Sequence, residues 1–285
     1  MKIFAADVGG TFIKYAVMNE RAEILSRGKI PTPRTGREDF FAALTEICKT
    51  AGADGIALSL PGIIDVERGI WVTSGALRFN DGVPVVAELE KNCCVRVTVE
   101  NDAKSAALAE ARIGSLADVA DGFVMVFGTG VGGAFIKNHE LHRGAHFSAG
   151  EISFTREGGE YFGETCGVPA LLKDFAQIKN LPAEEVTGEK FFAAVAENEK
   201  DALACLDRFT RRAAEKIFNV QMLFDVERFA IGGGISAQES FIAALRENLA
   251  KVYAECIVSF EPVKIVPCKF RNDANLIGAL FTWLK

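Results

Sequence analysis

The sequence has no CxxC pair, no P-loop of the form GxxxxGK[ST] and no low-complexity or linker-like stretch. It also has no run approaching the ~18 apolar residues of a membrane helix. Each absence removes a class of protein. Without paired spacing, the seven cysteines (48, 93, 94, 166, 205, 256 and 268) predict reduced, mostly buried thiols in a cytoplasmic chain, not a disulfide framework. Histidine is scarce as well. His139, His142 and His146 are the only three, and Asn138 and Gly144 argue against the helix that would align them, so an incidental surface loop is expected. The opening MKIFAADVGG lacks a basic region and a long apolar stretch, which reads against a secretory leader. Positive charge is not in excess. At a net charge of −6 there is no electrostatic reason to expect a nucleic-acid partner, and no membrane partner is expected.

What is present is an ordinary soluble balance, 49% apolar and 25% charged over 285 residues, enough for one large or two ordinary domains. KIFAAD and FIKYAVM read as a β-hairpin around the loop DVGGT. Phe40, Phe41, Leu44, Ile47 and Cys48 recur at helical spacing and predict an amphipathic helix over 37–51. GIALSL (55–60) and VRVTVEN (95–101) read as strands, and DAKSAALAEARIG as an alanine-rich helix with Asp102 as N-cap and Gly114 as stop. The cycle then restarts with GFVMVF, GTGVGG and AFIK. A long helix through Leu203, Leu206, Phe209, Ala213 and Ile217 follows, then the strand RFAI, the glycines 232–234 and a helix with a Ser236–Glu239 capping box. A strand KIVPC and a helix NLIGALFTWL close the order. Strands alternating with helices predict α/β layers. The run VGGTFIK at 8–14 is nearly repeated as VGGAFIK at 131–137, which suggests two related α/β halves with a cleft between them.

Three glycine clusters each follow an apolar strand: Gly9-Gly10, Gly128 to Gly133, and Gly232 to Gly234. Glycine there lets consecutive N–H groups converge on an anion. GTGVGG also fits a dinucleotide fingerprint, with Glu151 near the distance of a ribose-binding acid. That fingerprint needs a helix after it, and AFIKNHELHRGAH reads as a returning strand. The first loop carries more chemistry. Asp7, the glycine amides, Thr11 and Lys14 are the parts of a magnesium-nucleotide phosphate site, or else a buried aspartate capping its own turn.

With DVGGTFIK, LPGIID, VENDAKSAA, FGTGVGGAFI, GAHFSAGE and AIGGGI in this order, the chain resembles the ROK family of sugar kinases and repressors, nearly end to end. The resemblance implies the actin-like ATPase (ribonuclease H-like) α/β fold. Its N-terminal domain would be 1–115, with a helix at about 273–285 packing back on it, and its C-terminal domain 116–272. It implies ATP and Mg2+ as cofactors, a sugar as substrate and a homodimer as the assembly. Gly9, Gly10, Thr11 and Lys14 would touch phosphate, with Asp7 near the magnesium through water. Thr129 and Gly130 would hold the other side, and Gly232 and Gly233 would border the adenosine. Gly62, Asn101, Asp102 and Glu151 would bind the sugar, Asp102 as general base. Physics adds to this for Asp102, since the positive end of a helix favours the anionic form that accepts a proton.

The chain departs from the family in one region. The zinc loop CxCGxxGC is missing, the stretch from Glu157 to Ala170 holds one cysteine, and Phe154 stands where the family has a histidine. No structural zinc is expected, since one thiol cannot hold the tetrahedral ion. Phe154 would offer an apolar wall, which either suits a larger sugar such as a β-glucoside or marks a degraded pocket. The expected function is an ATP-dependent kinase of the 6-hydroxyl of glucose, N-acetylmannosamine, fructose or a β-glucoside. The alternative is a non-catalytic sugar-sensing regulatory protein of the same fold. No DNA-binding helix-turn-helix is expected before Asp7.

Overall fold

The computed structural model describes all residues, Met1–Lys285. They divide into two compact units. One comprises Met1–Gly114, Glu140–Ala149 and Asp273–Lys285, the other Ser115–His139 and Gly150–Asn272. The segment Glu140–Ala149 thus packs with the first unit, although the sequence reading kept it within 116–272.

The first unit opens with β1 (Lys2–Val8), β2 (Phe12–Asn19) and β3 (Ile24–Pro31), an antiparallel meander. Helix α1 (Arg37–Ala51) follows, with Phe40, Phe41, Leu44 and Cys48 buried on one face and Gly52 ending it in the left-handed region. Strand β4 (Gly55–Leu60) is buried along its whole length, as its run of apolar residues broken only by Ser59 requires. A small ribbon of β5 (Ile64–Asp65) and β6 (Ile70–Trp71) leads to α2 (Val85–Cys93), β7 (Arg96–Asn101) and α3 (Asp102–Ile113). The sheet order is β3-β2-β1-β4-β7, with β1, β4 and β7 parallel.

The second unit repeats the plan. Strands β8 (Gly122–Phe127) and β9 (Val131–Lys137) form an antiparallel hairpin. The short β10 (Glu140–His142) belongs to the first unit, where Arg112 pairs with Glu140. After β11 (Arg156–Glu157) and β12 (Glu160–Tyr161) come α4 (Phe162–Cys166), α5 (Val168–Lys179), α6 (Gly188–Ala196) and the long α7 (Lys200–Phe224). Then follow β13 (Arg228–Gly232), α8 (Glu239–Ala254) and β14 (Lys264–Pro267), with β8, β13 and β14 parallel neighbours. Helix α9 (Ala274–Trp283) belongs to the first unit and packs on α3, whose alanines allow close approach. No helix is long and apolar enough to cross a membrane.

Each unit has its own core. Phe4, Ile13, Phe40, Leu58 and Trp71 centre the first; Phe123, Phe127, Phe209, Phe229 and Phe241 centre the second.

Three sequence readings are corrected. Asn101, not Asp102, caps α3: its Oδ1 accepts the Lys104 N–H at 3.0 Å, and Asp102 is the first helical residue. Ser236 does not cap α8, because its hydroxyl donates to the Gly233 carbonyl at 2.8 Å and closes a 3-10 turn one residue short of the helix. The near-identical heptapeptides are also out of step. In the first copy Val8 ends β1 and the glycines form the turn, whereas all of VGGAFIK lies within β9 and the equivalent turn is Gly128–Gly130. The structural repeat is the glycine-turned hairpin, not the seven letters.

Candidate functional site

In the first unit the carboxyl ends of the parallel strands β1, β4 and β7 lie side by side, with Asp7 opposite Ser59 and Leu60 opposite Asn101. Such ends are where open α/β sheets place ligands. Asp7 Oδ1 accepts from Ser59 Oγ at 3.2 Å and from Asn275 Nδ2 at 2.9 Å. Burial pushes the Asp7 carboxyl above its ordinary value, opposed by the Asn275 bond, the Lys14 charge and the Ser59 bond. Lys14 is exposed and stands opposite Asp7 in the β1–β2 register.

The loop between those strands is braced from two directions. The Gly9 N–H donates to the Phe12 carbonyl at 3.0 Å. Thr32 Oγ1 donates to the Gly9 carbonyl at 2.7 Å, and the Thr32 N–H to the Thr11 carbonyl at 2.9 Å. Gly10 and Thr11 form the tip, Thr11 exposed.

A second constellation follows β7. Asn101, 4% exposed, donates from Nδ2 to the Gly62 carbonyl at 2.9 Å and to Asp102 Oδ1 at 2.9 Å. Gly62 has φ +88°, and a Cβ there would overlap the Thr73 carbonyl oxygen, so glycine is needed on both counts. The Asp102 carboxylate also accepts the Ala103 N–H at 2.8 Å in the first turn of α3. The arrangement aims one carboxylate by a neutral amide, and that amide by a backbone carbonyl. Such a carboxylate can accept a proton from a hydroxyl brought to it.

The second unit holds the remaining predicted residues. Gly128–Gly130 turns the β8–β9 hairpin, with the Gly128 N–H on the Gly130 carbonyl at 2.9 Å. Gly232 ends β13, and Gly233, at φ +88°, lies so close to Phe127 that a Cβ would overlap its carbonyl oxygen. Beside these turns is a cavity of about 750 Å3 whose walls include Phe127, Val168, Leu172, Phe192 and Ile235, with Thr129 among its polar lining. Its size and apolar walls suit a heteroaromatic ring. Glu151 precedes a 3-10 turn (Ile152–Phe154) that packs on β9. Thus Asp7, the Gly9–Thr11 loop, Lys14, Gly62, Asn101 and Asp102 belong to the first unit. Thr129, Gly130, Glu151, Gly232 and Gly233 belong to the second.

Sequence reasoning missed Asn275, Ser59 and Arg143. The Arg143 guanidinium donates to Glu100 Oε2 from Nε at 2.8 Å. Its one readable signal was Glu100 of VEND, a carboxylate at the end of the strand VRVTVEN, which needs a partner if buried.

Two glycine-turned α/β units of this kind define the actin-like ATPase fold, and the comparisons agree. The sequence matches the ROK family across residues 3–285, and the chain belongs to that family. It is 30% identical to a β-glucoside kinase of Listeria monocytogenes over 294 residues, covering 100% of this chain and 98% of the relative. It is 31% identical to a β-glucoside kinase of Klebsiella pneumoniae over 294 residues, 99% of this chain and 95% of the relative. A ROK family protein from Streptococcus pneumoniae, solved in complex with sucrose, superposes with a TM-score of 0.90 at 28% identity, covering 100% of this chain and 98% of that one. The chain is a sugar kinase.

Proposed function

We propose that the protein transfers the terminal phosphoryl group of ATP to the 6-hydroxyl of a hexose, and that β-glucosides are its substrate class. The observation that carries the reading is the Gly62–Asn101–Asp102 chain of hydrogen bonds, which fixes a carboxylate at the start of α3. The names of the Listeria and Klebsiella relatives support the substrate class.

In this reading Asp102 accepts the proton of the 6-hydroxyl as that oxygen bonds to phosphorus and the bond to the ADP oxygen breaks. Little covalent work falls to the protein, so orientation by Asn101 and Gly62 is the main contribution on this side. Glu151 would hold another sugar hydroxyl. The Gly10 and Thr11 N–H groups, with Lys14, would meet phosphate oxygens, while Gly9 shapes the turn because its own N–H is engaged with Phe12. Thr129 and Gly130 would take phosphate from the second unit, and the apolar cavity beside Gly232 and Gly233 would take the adenine ring.

Asp7 suits a magnesium ion held through water. Both of its side-chain bonds from Ser59 and Asn275 fall on Oδ1, and a cation would favour the ionised form that burial opposes. Such an ion supplies neutralisation of phosphate charge.

The test is ADP release with magnesium-ATP against glucose, N-acetylmannosamine, fructose and cellobiose, with Asp102→Asn as control. Turnover on a glucoside that the variant loses supports the reading. ATP binding without turnover on any sugar would instead favour a sugar sensor.

A further inference from the structure

Most large apolar side chains of the second unit are buried, yet Phe154 is 67% exposed and Tyr161 40% exposed. Their rings meet edge to face, with centroids 6.4 Å apart and planes at 83°. The Arg156 guanidinium lies 5.1 Å from the Tyr161 ring centroid and is itself fixed by Nε and Nη2 bonds to the Gly159 carbonyl, at 3.2 and 2.7 Å. Cation and ring therefore hold each other in place, which costs a mobile side chain its freedom before any ligand arrives.

The hairpin that carries them is rooted at both ends. Ile152, before Phe154, is buried, and so is Phe162, directly after Tyr161. The Phe162 N–H donates to the Thr155 carbonyl at 2.9 Å, and Thr155 Oγ1 to the Ile152 carbonyl at 2.7 Å. The placement is also specific. Phe154 sits three residues after Glu151, and its N–H donates to the Glu151 carbonyl at 3.2 Å. Between them, Ser153 Oγ lies 3.3 Å from where a Cβ of Gly130 would stand. One short turn thus carries the sugar-binding candidate Glu151, a serine that faces the side-chain position of the phosphate-loop candidate Gly130, and an outward-facing ring.

We propose that Phe154 and Tyr161, braced by Arg156, form a platform that stacks the second ring of a β-glucoside, an aryl group or a second pyranose. This rests on the proposed kinase reading and assigns its aglycone subsite. Exposed aromatic faces stack on the C–H faces of pyranoses and on aryl rings without needing hydrogen-bond partners. The surrounding charge selects among aglycones. Glu157, Glu160 and Glu164 are exposed on and just after the hairpin, so a neutral ring is accepted and an anionic one opposed.

The experiment compares kcat/KM for p-nitrophenyl β-glucoside, its 4-carboxyphenyl analogue and glucose in the wild type, Phe154→Ala, Phe154→Tyr and Tyr161→Ala. The ratio of p-nitrophenyl glucoside to glucose is expected to fall about tenfold in Phe154→Ala, less in Tyr161→Ala, and to recover in Phe154→Tyr. In the wild type the carboxyphenyl analogue should be the poorer aryl substrate. An unchanged ratio in both alanine variants, with glucose still turned over, would overturn the platform and leave the kinase reading standing. If no sugar is turned over by the wild type, the kinase reading fails. Calorimetric binding of p-nitrophenyl β-glucoside then decides: binding lost in Phe154→Ala supports the platform, and equal or absent binding overturns it.

Discussion

Arg143 and Glu100 form a buried clamp directly behind the proposed general base. The guanidinium meets Glu100 Oε2 from Nε at 2.8 Å and from Nη2 at 2.6 Å, and Glu100 Oε1 accepts the Asn101 N–H at 3.0 Å. The Glu100 side chain is 1% exposed and that of Arg143 23%. A residue of the Glu140–Ala149 segment thereby fixes the backbone from which Asn101 and Asp102 project.

Removing the cation strands a desolvated carboxylate. Arg143→Met should destabilise the protein by roughly 3 kcal/mol, the low end for a broken buried pair because the arginine keeps some solvent contact. Denaturant titration measures it. The double variant Arg143→Met/Glu100→Gln should recover much of the loss, and equal stability of single variant and wild type would contradict the clamp.

Asp102→Asn keeps the size and the bonds to Asn101 and Ala103 but cannot accept a proton. Turnover should fall about 10²- to 10⁴-fold with sugar affinity little changed. Steady-state ADP release and calorimetry on the same preparation separate the two effects. Wild-type turnover would remove Asp102 from the mechanism.

Asp7 should cost stability at neutral pH. Its folded carboxyl is raised by burial, so between the unfolded value of about 3.9 and the raised folded value the native state binds more protons than the unfolded one. Stability contributed by this group is therefore greatest below the unfolded value and falls as pH rises through the window. Asp7→Asn should melt higher than wild type at pH 7, with the gap closing toward pH 4, while turnover drops roughly 10²-fold. Thermal melts across that range would refute the assignment if the variant melted lower at pH 7.

Gly62→Ala tests the support beneath Asn101. A methyl group would strain the φ +88° backbone and collide with the Thr73 carbonyl, at a cost of about 1–3 kcal/mol. Because the Gly62 carbonyl receives the Asn101 amide, KM for sugar should rise several-fold while ATP affinity holds. A change in ATP affinity alone would point elsewhere.

The sequence showed elements whose burial is locally patterned. Helix α1 was legible because Phe40, Phe41, Leu44 and Cys48 fall on one face, and β4 because no polar residue but Ser59 interrupts it. Strand β3 escaped notice because ILSRGKIP is an edge strand carrying charges, with β2 as its one partner. Helix α5 hid behind Gly167 and Pro169, which read as loop although proline suits a helix's first turn. In the site, the glycine turns and VEND were visible because their chemistry is contiguous. The Asn275 bond to Asp7 spans 268 positions and the Arg143 bond to Glu100 spans 43, and no local pattern encodes either. The duplicated heptapeptide misled in the opposite way: identical letters occupied non-equivalent positions, because pairing register and not spelling sets where a hairpin turns.

The first unit requires Asp273–Lys285 for α9 and for the Asn275 bond to Asp7, whereas the second needs nothing beyond Asn272. During synthesis the second unit therefore has its full set of residues before the first does. The usual order, in which the segment made earliest folds earliest, is reversed here. Residues 1–114 must wait, with the apolar surface of α3 uncovered, until α9 leaves the ribosome. For that interval the face of α3 that α9 later covers stays open to water.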